Sequence, residues 1–187
     1  MTVLNDISIK KRCERVPTPM IAPYNSDQVQ PASYDVRLGC SFRIFQRDHR
    51  EYVDLADPID ITKEVILGPG EYLTLHPGEF VLGVTDEKVH MPDDIVARIE
   101  GKSSIGRLGL MAHVTAGYID PGFRGNITLE MACFHPLAIR LRPDMLIAQL
   151  SFHEMIGPAG KPYRGRYQDA DGVEPSKYGE DIPGDKD

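Results

Sequence analysis

From about Ser33 to Glu154 the chain reads as short runs in which apolar and polar residues alternate, the period of a half-buried strand. The clearest run is Asn126–Cys133: Ile127, Leu129 and Met131 fall on one face, Thr128 and Glu130 on the other. The same reading predicts strands over Tyr34–Leu38, Ser41–Phe45, Glu71–Leu75, Phe80–Thr85, Asp94–Glu100, Leu137–Leu141 and Leu146–Glu154. Turn signals separate them: Gly68-Pro69-Gly70, Pro77-Gly78 and Pro121-Gly122. Many short strands divided by such turns predict a mainly β fold, a sandwich or barrel. Helix is predicted over Ile7–Glu14, with Asn5 or Asp6 as its N-cap, and over Ser103–Leu110, opening at a serine. No internal repeat is present.

The last stretch, residues 157–187, breaks the pattern with six glycines and four prolines. Its composition is that of a flexible end, but Tyr163, Arg164, Arg166 and Tyr167 equip it to close over a ligand as a lid. The expected organisation is therefore one domain, a β unit over residues 1–156 carrying a flexible lid or tail over 157–187. Beyond about Pro175 only packing or disorder is expected. With 187 residues and 41% apolar content the chain can bury a real core.

Charge and cysteines narrow the class. The net charge of −7 disfavours non-specific nucleic-acid binding, which depends on neutralising phosphates. No run of 18 apolar residues predicts a membrane span, and MTVLNDISIKKRCERV has no apolar signal region. Cys13, Cys40 and Cys133 are odd in number and far apart, which argues against a disulfide framework and a clustered zinc site. A cytoplasmic protein is the expectation.

Candidate chemistry concentrates between Arg98 and Met131. Lys102, Ser103, Ser104 and Arg107 supply hydroxyls and cations beside accessible backbone at Gly106 and Gly109, a combination suited to phosphate oxygens. A turn-rich loop, Thr115 to Gly125, holds Asp120. Glu130 sits in a β-branched strand where packing gives no reason for a carboxylate. Each piece alone is a common turn, cap or solvent-facing residue; their order over some thirty residues is far more specific.

That order resembles the core of the deoxycytidine triphosphate (dCTP) deaminases, relatives of the deoxyuridine triphosphatases (dUTPases). Gln30-Pro-Ala-Ser-Tyr-Asp-Val-Arg-Leu-Gly39 resembles the family's first motif and Gly101-Lys-Ser-Ser-Ile-Gly-Arg107 its second. Ala116-Gly-Tyr-Ile-Asp120-Pro-Gly-Phe-Arg-Gly125 resembles the third and Met145-Leu-Ile-Ala-Gln-Leu-Ser-Phe152 the fourth. Pro162-Tyr163 and Arg166-Tyr167 resemble the C-terminal segment. The resemblance runs from about Leu4 to Ser176. It implies a distorted dUTPase-like β-barrel with a few short helices, assembled as a homotrimer.

For activity, the resemblance implies hydrolytic deamination of dCTP to dUTP and ammonia, in pyrimidine deoxynucleotide metabolism. Zinc deaminases of nucleobases use an H-x-E and P-C-x-x-C signature. This chain has no P-C-x-x-C, so the expectation is no zinc, with side chains activating the water. Glu130 is the expected proton shuttle, and Ser103 and Arg107 are expected to position the water and stabilise developing charge. Asp120 is the fourth implied catalytic residue, at the sugar 3′-hydroxyl. Lys102, Ser103, Ser104, Ile105, Gly106 and Arg107 form the implied phosphate turn. Phe123, Thr128, Leu129, Gln149, Tyr163 and Arg166 complete the implied nucleotide site, Phe123 as a sugar wall and Thr128–Leu129 through their backbone at the base. Magnesium is implied on the triphosphate, with no metal ligand from protein side chains. His113 is placed near the site, where thymidine triphosphate (dTTP) is a possible feedback inhibitor. His49, His76, His90, His135 and His153 are expected at the surface or in loops.

Three alternatives stand beside the deaminase reading. A bifunctional enzyme would also cleave dUTP to dUMP and diphosphate; Gly117-Tyr118 before Ile119-Asp120 resembles that pattern. A catalytically inactive nucleotide-binding regulator and a plain dUTPase are the others; binding alone does not need Glu130. Two residues depart from the family pattern. Ala170 stands where a glutamine is usual, four residues after Arg166, and Lys102 stands where arginine is common.

Overall fold

The structure is a computed structural model that describes residues 2–46 and 48–181. In chain order its elements are β1 (Thr2–Val3), helix α1 (Asp6–Cys13), β2 (Ile21–Ala22), β3 (Val29–Gln30), β4 (Ser33–Arg37), β5 (Ser41–Phe45), β6 (Thr62–Ile66), β7 (Leu73–Leu75) and β8 (Phe80–His90). There follow β9 (Ile95–Gly101), helix α2 (Ser103–Gly106), β10 (Leu110–Met111), β11 (Tyr118–Ile119), β12 (Arg124–Cys133), β13 (Ile139–Leu141) and β14 (Leu146–Glu154). One antiparallel sheet runs β11-β9-β14-β4-β3 with β1 added at β14; a second runs β10-β12-β8-β5-β6 with β2 added at β8. β7 and β13 form a separate pair.

Alternation decides which face of each strand is buried. On β12, Ile127, Leu129 and Met131 are inside and Thr128 and Glu130 are half-buried on the other face. Tyr34, Phe42, Ile95, Leu129, Met131 and Phe152 are fully buried in one core shared by the two sheets. Each large apolar side chain so removed from water contributes roughly 1.5–3 kcal/mol before chain entropy is counted.

Most predicted strands appear within a residue or two, and β5 and β14 coincide with prediction. Three differences have physical causes. β8 continues to His90, five residues past the predicted end at Thr85. Its inward position there is Glu87, whose fully buried carboxylate accepts from Gln28 Nε2 (2.8 Å), Arg37 N–H (2.8 Å) and Arg37 Nε (2.8 Å). β6, absent from the prediction, pairs with β5 as a mostly exposed edge bearing Lys63 and Glu64, the charged type of edge that resists further pairing. The predicted helix from Ser103 shortens to Ser103–Gly106, because Gly109 turns the chain into β10. His90 and His153 lie on β8 and β14 rather than in loops, and both are half-buried.

The tail does not trail away. Val173 is buried against Leu82 and Val84, and Ala170 is buried beside β12. Residues 182–187 of the predicted tail lie outside the described residues. No helix among the described residues is long and apolar enough to cross a membrane. All three cysteines are free, Cys13 and Cys133 buried and Cys40 exposed.

Helix α1 is capped by Asn5, whose side chain accepts from Ser8 N–H at 3.0 Å. Arg12 at its other end grips Asp94 through two hydrogen bonds (3.2 and 3.0 Å) and lies 3.8 Å from Glu154. The Arg12 guanidinium holds the Asp94 carboxyl below its ordinary value. Because the folded value is depressed, the stabilisation is present at neutral pH and is lost as pH falls through that folded value. Asp94→Asn is expected to cost less than about 1 kcal/mol at neutral pH, since the pair is partly exposed. It should also flatten the fall of the thermal midpoint below about pH 4. Thermal scans of both proteins across that range check this.

Candidate functional site

The third predicted motif and the tail meet at a cleft of about 780 Å³, the scale of a small-molecule site. Glu130 and Thr128 reach it from β12, Asp120 and Phe123 from the loop after β11, and Tyr163 from the tail. Five predicted site residues, distant in sequence, therefore share one cavity.

Glu130 is the most constrained of them. Its carboxylate accepts from Thr115 N–H (3.1 Å) and from Thr115 Oγ1 (2.7 Å). Its backbone N–H donates to His113 Nδ1 at 3.3 Å. With Nδ1 accepting, a neutral His113 carries its proton on Nε2, a buried atom without a partner. Sequence reading placed Thr115 only at the start of a turn-rich loop; the structure sets its hydroxyl and N–H on the glutamate. A threonine in a loop gives no sign of this in advance, because the contact depends on how the loop crosses β12.

β12 is irregular where it enters the cleft. Its register with β8 shifts between Asn126 and Thr128, a bulge. Asn126 Nδ2 donates to Thr85 O (2.9 Å), Ile127 N–H to Thr85 Oγ1 (3.0 Å) and Asn126 N–H to Ala170 O (3.0 Å). The tail thus takes a hydrogen bond that the sheet gives up. It then follows β12: Gly172 N–H donates to Asn126 Oδ1 (3.3 Å) and Glu174 N–H to Thr128 Oγ1 (3.1 Å). Pro175, Ser176 and Lys177 form part of the cavity wall, where only packing or disorder was expected.

Phe123 and Tyr163 meet edge to face, ring centres 5.7 Å apart. Tyr163 N–H donates to Pro121 O (2.8 Å), and its hydroxyl accepts from Tyr167 N–H (3.3 Å). Arg166 points along the tail, donating to Lys177 O (3.0 Å) with Nε 3.5 Å from Glu180. Lys177 Nζ returns to Arg166 O (3.0 Å) and Glu174 (2.8 Å), and that carboxylate holds its ammonium above the ordinary value. Burial, then the nearby Arg124, pushes the His90 imidazole below its ordinary value.

The turn predicted to hold phosphate is elsewhere. Ser103, Ser104, Gly106 and Arg107 are exposed on α2 and its C-terminal cap, Ile105 packs on the core, and none lines the cleft. Lys102 Nζ is 2.5 Å from the buried carboxylate of Asp35, which Gln30 also meets at 3.2 Å. Gln149 accepts from Ser33 Oγ (3.0 Å) and donates to Gly101 O (3.2 Å). Leu129 is fully buried and leaves only its backbone for any ligand. One chain therefore divides the predicted residues into a cleft group and a turn group.

The model of the dCTP deaminase-like family matches residues 3–155. The chain is 52% identical over 142 residues to the dUMP-forming dCTP deaminase of Clavibacter michiganensis subsp. michiganensis, covering 75% of this chain and 71% of that protein. It is 41% identical over 190 residues to the protein of the same description from Methanosphaera stadtmanae, covering 97% and 96%. Among solved structures, 2′-deoxycytidine 5′-triphosphate deaminase from Agrobacterium tumefaciens superposes with a TM-score of 0.63 at 25% identity, over 81% of this chain. This chain spans about half of that one, 47%.

The closure of the tail on β12 depends on Gly125. Its φ is +134°, and a Cβ there would lie 2.7 Å from Ala170 N and O. Gly125→Ala adds strain of about 1–3 kcal/mol and should loosen the tail. Cleavage after Arg164, Arg166 or Lys177 by trypsin is expected to quicken by about tenfold or more, as the open population rises. A cleavage rate equal to the parent's would refute the dependence.

Proposed function

The chain belongs to the dCTP deaminase-like family, and from that premise we propose that it deaminates dCTP and then cleaves the product, releasing ammonia, diphosphate and dUMP. The observation that carries the reading is the convergence of Glu130 and Asp120 on one cleft walled by Phe123 and Tyr163. Relatives described as dUMP-forming dCTP deaminases, at 41% and 52% identity, support the second step, as does Gly117-Tyr118 before Ile119-Asp120.

Glu130, oriented by Thr115, takes a proton from a water as the oxygen bonds to C4 of cytosine. It passes that proton to the ring nitrogen, giving a tetrahedral intermediate. Collapse breaks the C4–N bond, and the amino group leaves as ammonia with a proton returned through Glu130. Ser103 and Arg107 position the water and stabilise the developing charge. Asp120 contacts the 3′-hydroxyl and aligns a second water for attack on the α-phosphorus, with diphosphate as leaving group. Magnesium, carried by the triphosphate, would offset its charge; among the described residues no three His, Cys, Asp or Glu side chains gather as a metal site. dTTP, differing only at the base and unable to lose ammonia, would compete in the same cleft beside His113.

The site is shared between subunits of a homotrimer in this reading. Asp60, Asp120, Glu130, Glu174 and Glu180 line the cleft against Lys177, a poor reception for a triphosphate. The turn Lys102–Arg107 brings the missing positive charge, chiefly through its exposed Arg107, if it serves a neighbour's cleft. A second reading, deamination ending at dUTP, is favoured by one residue: Ala170 is buried against Gly125 and has no side-chain amide for a phosphate.

Parallel assays of ammonia and diphosphate from dCTP test the reaction. With magnesium the parent should release both in equal amounts; ammonia alone would select the second reading. Glu130→Gln should lower ammonia release by at least about 10²-fold, the usual worth of general acid–base catalysis. Asp120→Asn should lose diphosphate release more than ammonia release. Sharing is tested by mixing two inactive variants, Arg107→Ala and Glu130→Gln, under conditions that exchange subunits. About a quarter of sites should recover both residues in a randomly mixed closed ring. No recovery would mean that each chain builds its own site.

A further inference from the structure

Phe123 lies in the loop between β11 and β12, and its place is set by hydrogen bonds along that loop and from the tail. Its backbone N–H returns to Asp120 O (3.2 Å) and its carbonyl accepts from Met91 N–H (2.9 Å). The two residues flanking it are gripped by one tail side chain. Gln168 Nε2 donates to Gly122 O at 3.1 Å, and Gln168 Oε1 accepts from Arg124 N–H at 3.3 Å. Tail backbone brackets the same loop, Tyr163 N–H to Pro121 O and Asp169 N–H to Arg124 O, both 2.8 Å. Gly122, at φ +89°, leaves no room for a side chain there: a Cβ would lie 2.7 Å from Pro162 Cβ. Gln168 itself is half-buried and is not among the residues lining the cleft.

We infer that Gln168 is a positioning residue for Phe123 and thereby sets the preference for 2′-deoxyribose over ribose. The inference rests on the nucleotide reading of the cleft. An aromatic wall excludes a 2′-hydroxyl only by occupying its space, and an apolar wall rejects an added hydroxyl by only about 10²-fold even when well made. A ring free to retreat by a fraction of an ångström forfeits much of that. An amide side chain suits the task because it offers a donor and an acceptor in one plane, matching the carbonyl before the ring and the N–H after it. An ionised carboxylate at 168 satisfies only the acceptor role, and an apolar residue neither.

The test compares kcat/KM for dCTP and cytidine triphosphate, read by ammonia release, in the full-length protein. Gln168→Met keeps the length and removes both hydrogen bonds. It should cut the deoxy preference by about tenfold, roughly the worth of two net hydrogen bonds, mainly by improving the ribonucleotide while kcat for dCTP changes little. Gln168→Glu keeps the acceptor for Arg124 N–H and loses the donor to Gly122 O. It should give an intermediate ratio, and it preserves the test if the methionine variant unfolds. Asp169→Asn breaks the 2.9 Å pair with Arg124 while tolerating the φ of +61° at that position. It should keep the parental ratio. An unchanged ratio in both Gln168 variants overturns the inference, as does an equal loss in Asp169→Asn, which would mean general loosening of the tail. A parent that deaminates neither nucleotide overturns the functional reading and the inference with it.

Discussion

The two-residue period of β12 from Ile127 to Cys133 is the constraint on which the molecule depends. The same ten residues must fill the core with Ile127, Leu129 and Met131 and present Thr128 and Glu130 to the cleft. A slip of one residue against β8 would bury the glutamate and expose the leucine, so the register is fixed by both demands at once. The bulge at Asn126–Thr128 is where the two demands part. It releases the Asn126 N–H from the ladder and gives it to Ala170 of the tail. Core, cleft and tail are therefore arranged along one strand, and damage to its register would be felt in all three.

What was legible in the sequence follows from how local the cause is. β5, β12 and β14 were readable because alternation and flanking turns specify them without help. The second half of β8 was not. Alternation continues there in burial, with Thr85, Glu87 and Val89 inside, but the central member is a carboxylate. Only Arg37 and Gln28, from elsewhere in the chain, make that burial tolerable. β6 hid for the opposite reason: as an edge strand it carries little apolar signal. The motif residues were named from their order in the chain, yet their division between a cleft and a distant turn is a property of topology. Nothing in Lys102-Ser103-Ser104 says which cleft it faces.

The tail shows the same limit. Its glycine and proline content reads as a flexible end, while its contacts are mostly backbone groups and single polar side chains that composition does not register. Gln168, Ala170 and Val173 each act through the position of something else: a loop peptide, a glycine with no Cβ, a small apolar recess at Leu82 and Val84. A segment of this kind is held by many separate hydrogen bonds and two small buried side chains, Ala170 and Val173, rather than by a core of its own.

The pairing of Lys102 with Asp35 alters what this lysine can offer an anion. Asp35 is almost fully buried, its side chain 3% exposed. Drawing the ammonium away would strand a carboxylate in the interior, at a cost of several kcal/mol. Lys102 is thus tethered: it can lend its remaining N–H groups to a phosphate but cannot travel to meet one. An arginine at this position could satisfy the carboxylate with one edge and an anion with the other. With lysine, the turn behaves as a fixed post, and the groups it leaves uncommitted for an anion are chiefly the exposed hydroxyls of Ser103 and Ser104. The charge that composition assigns to the phosphate turn is in good part already committed to the fold.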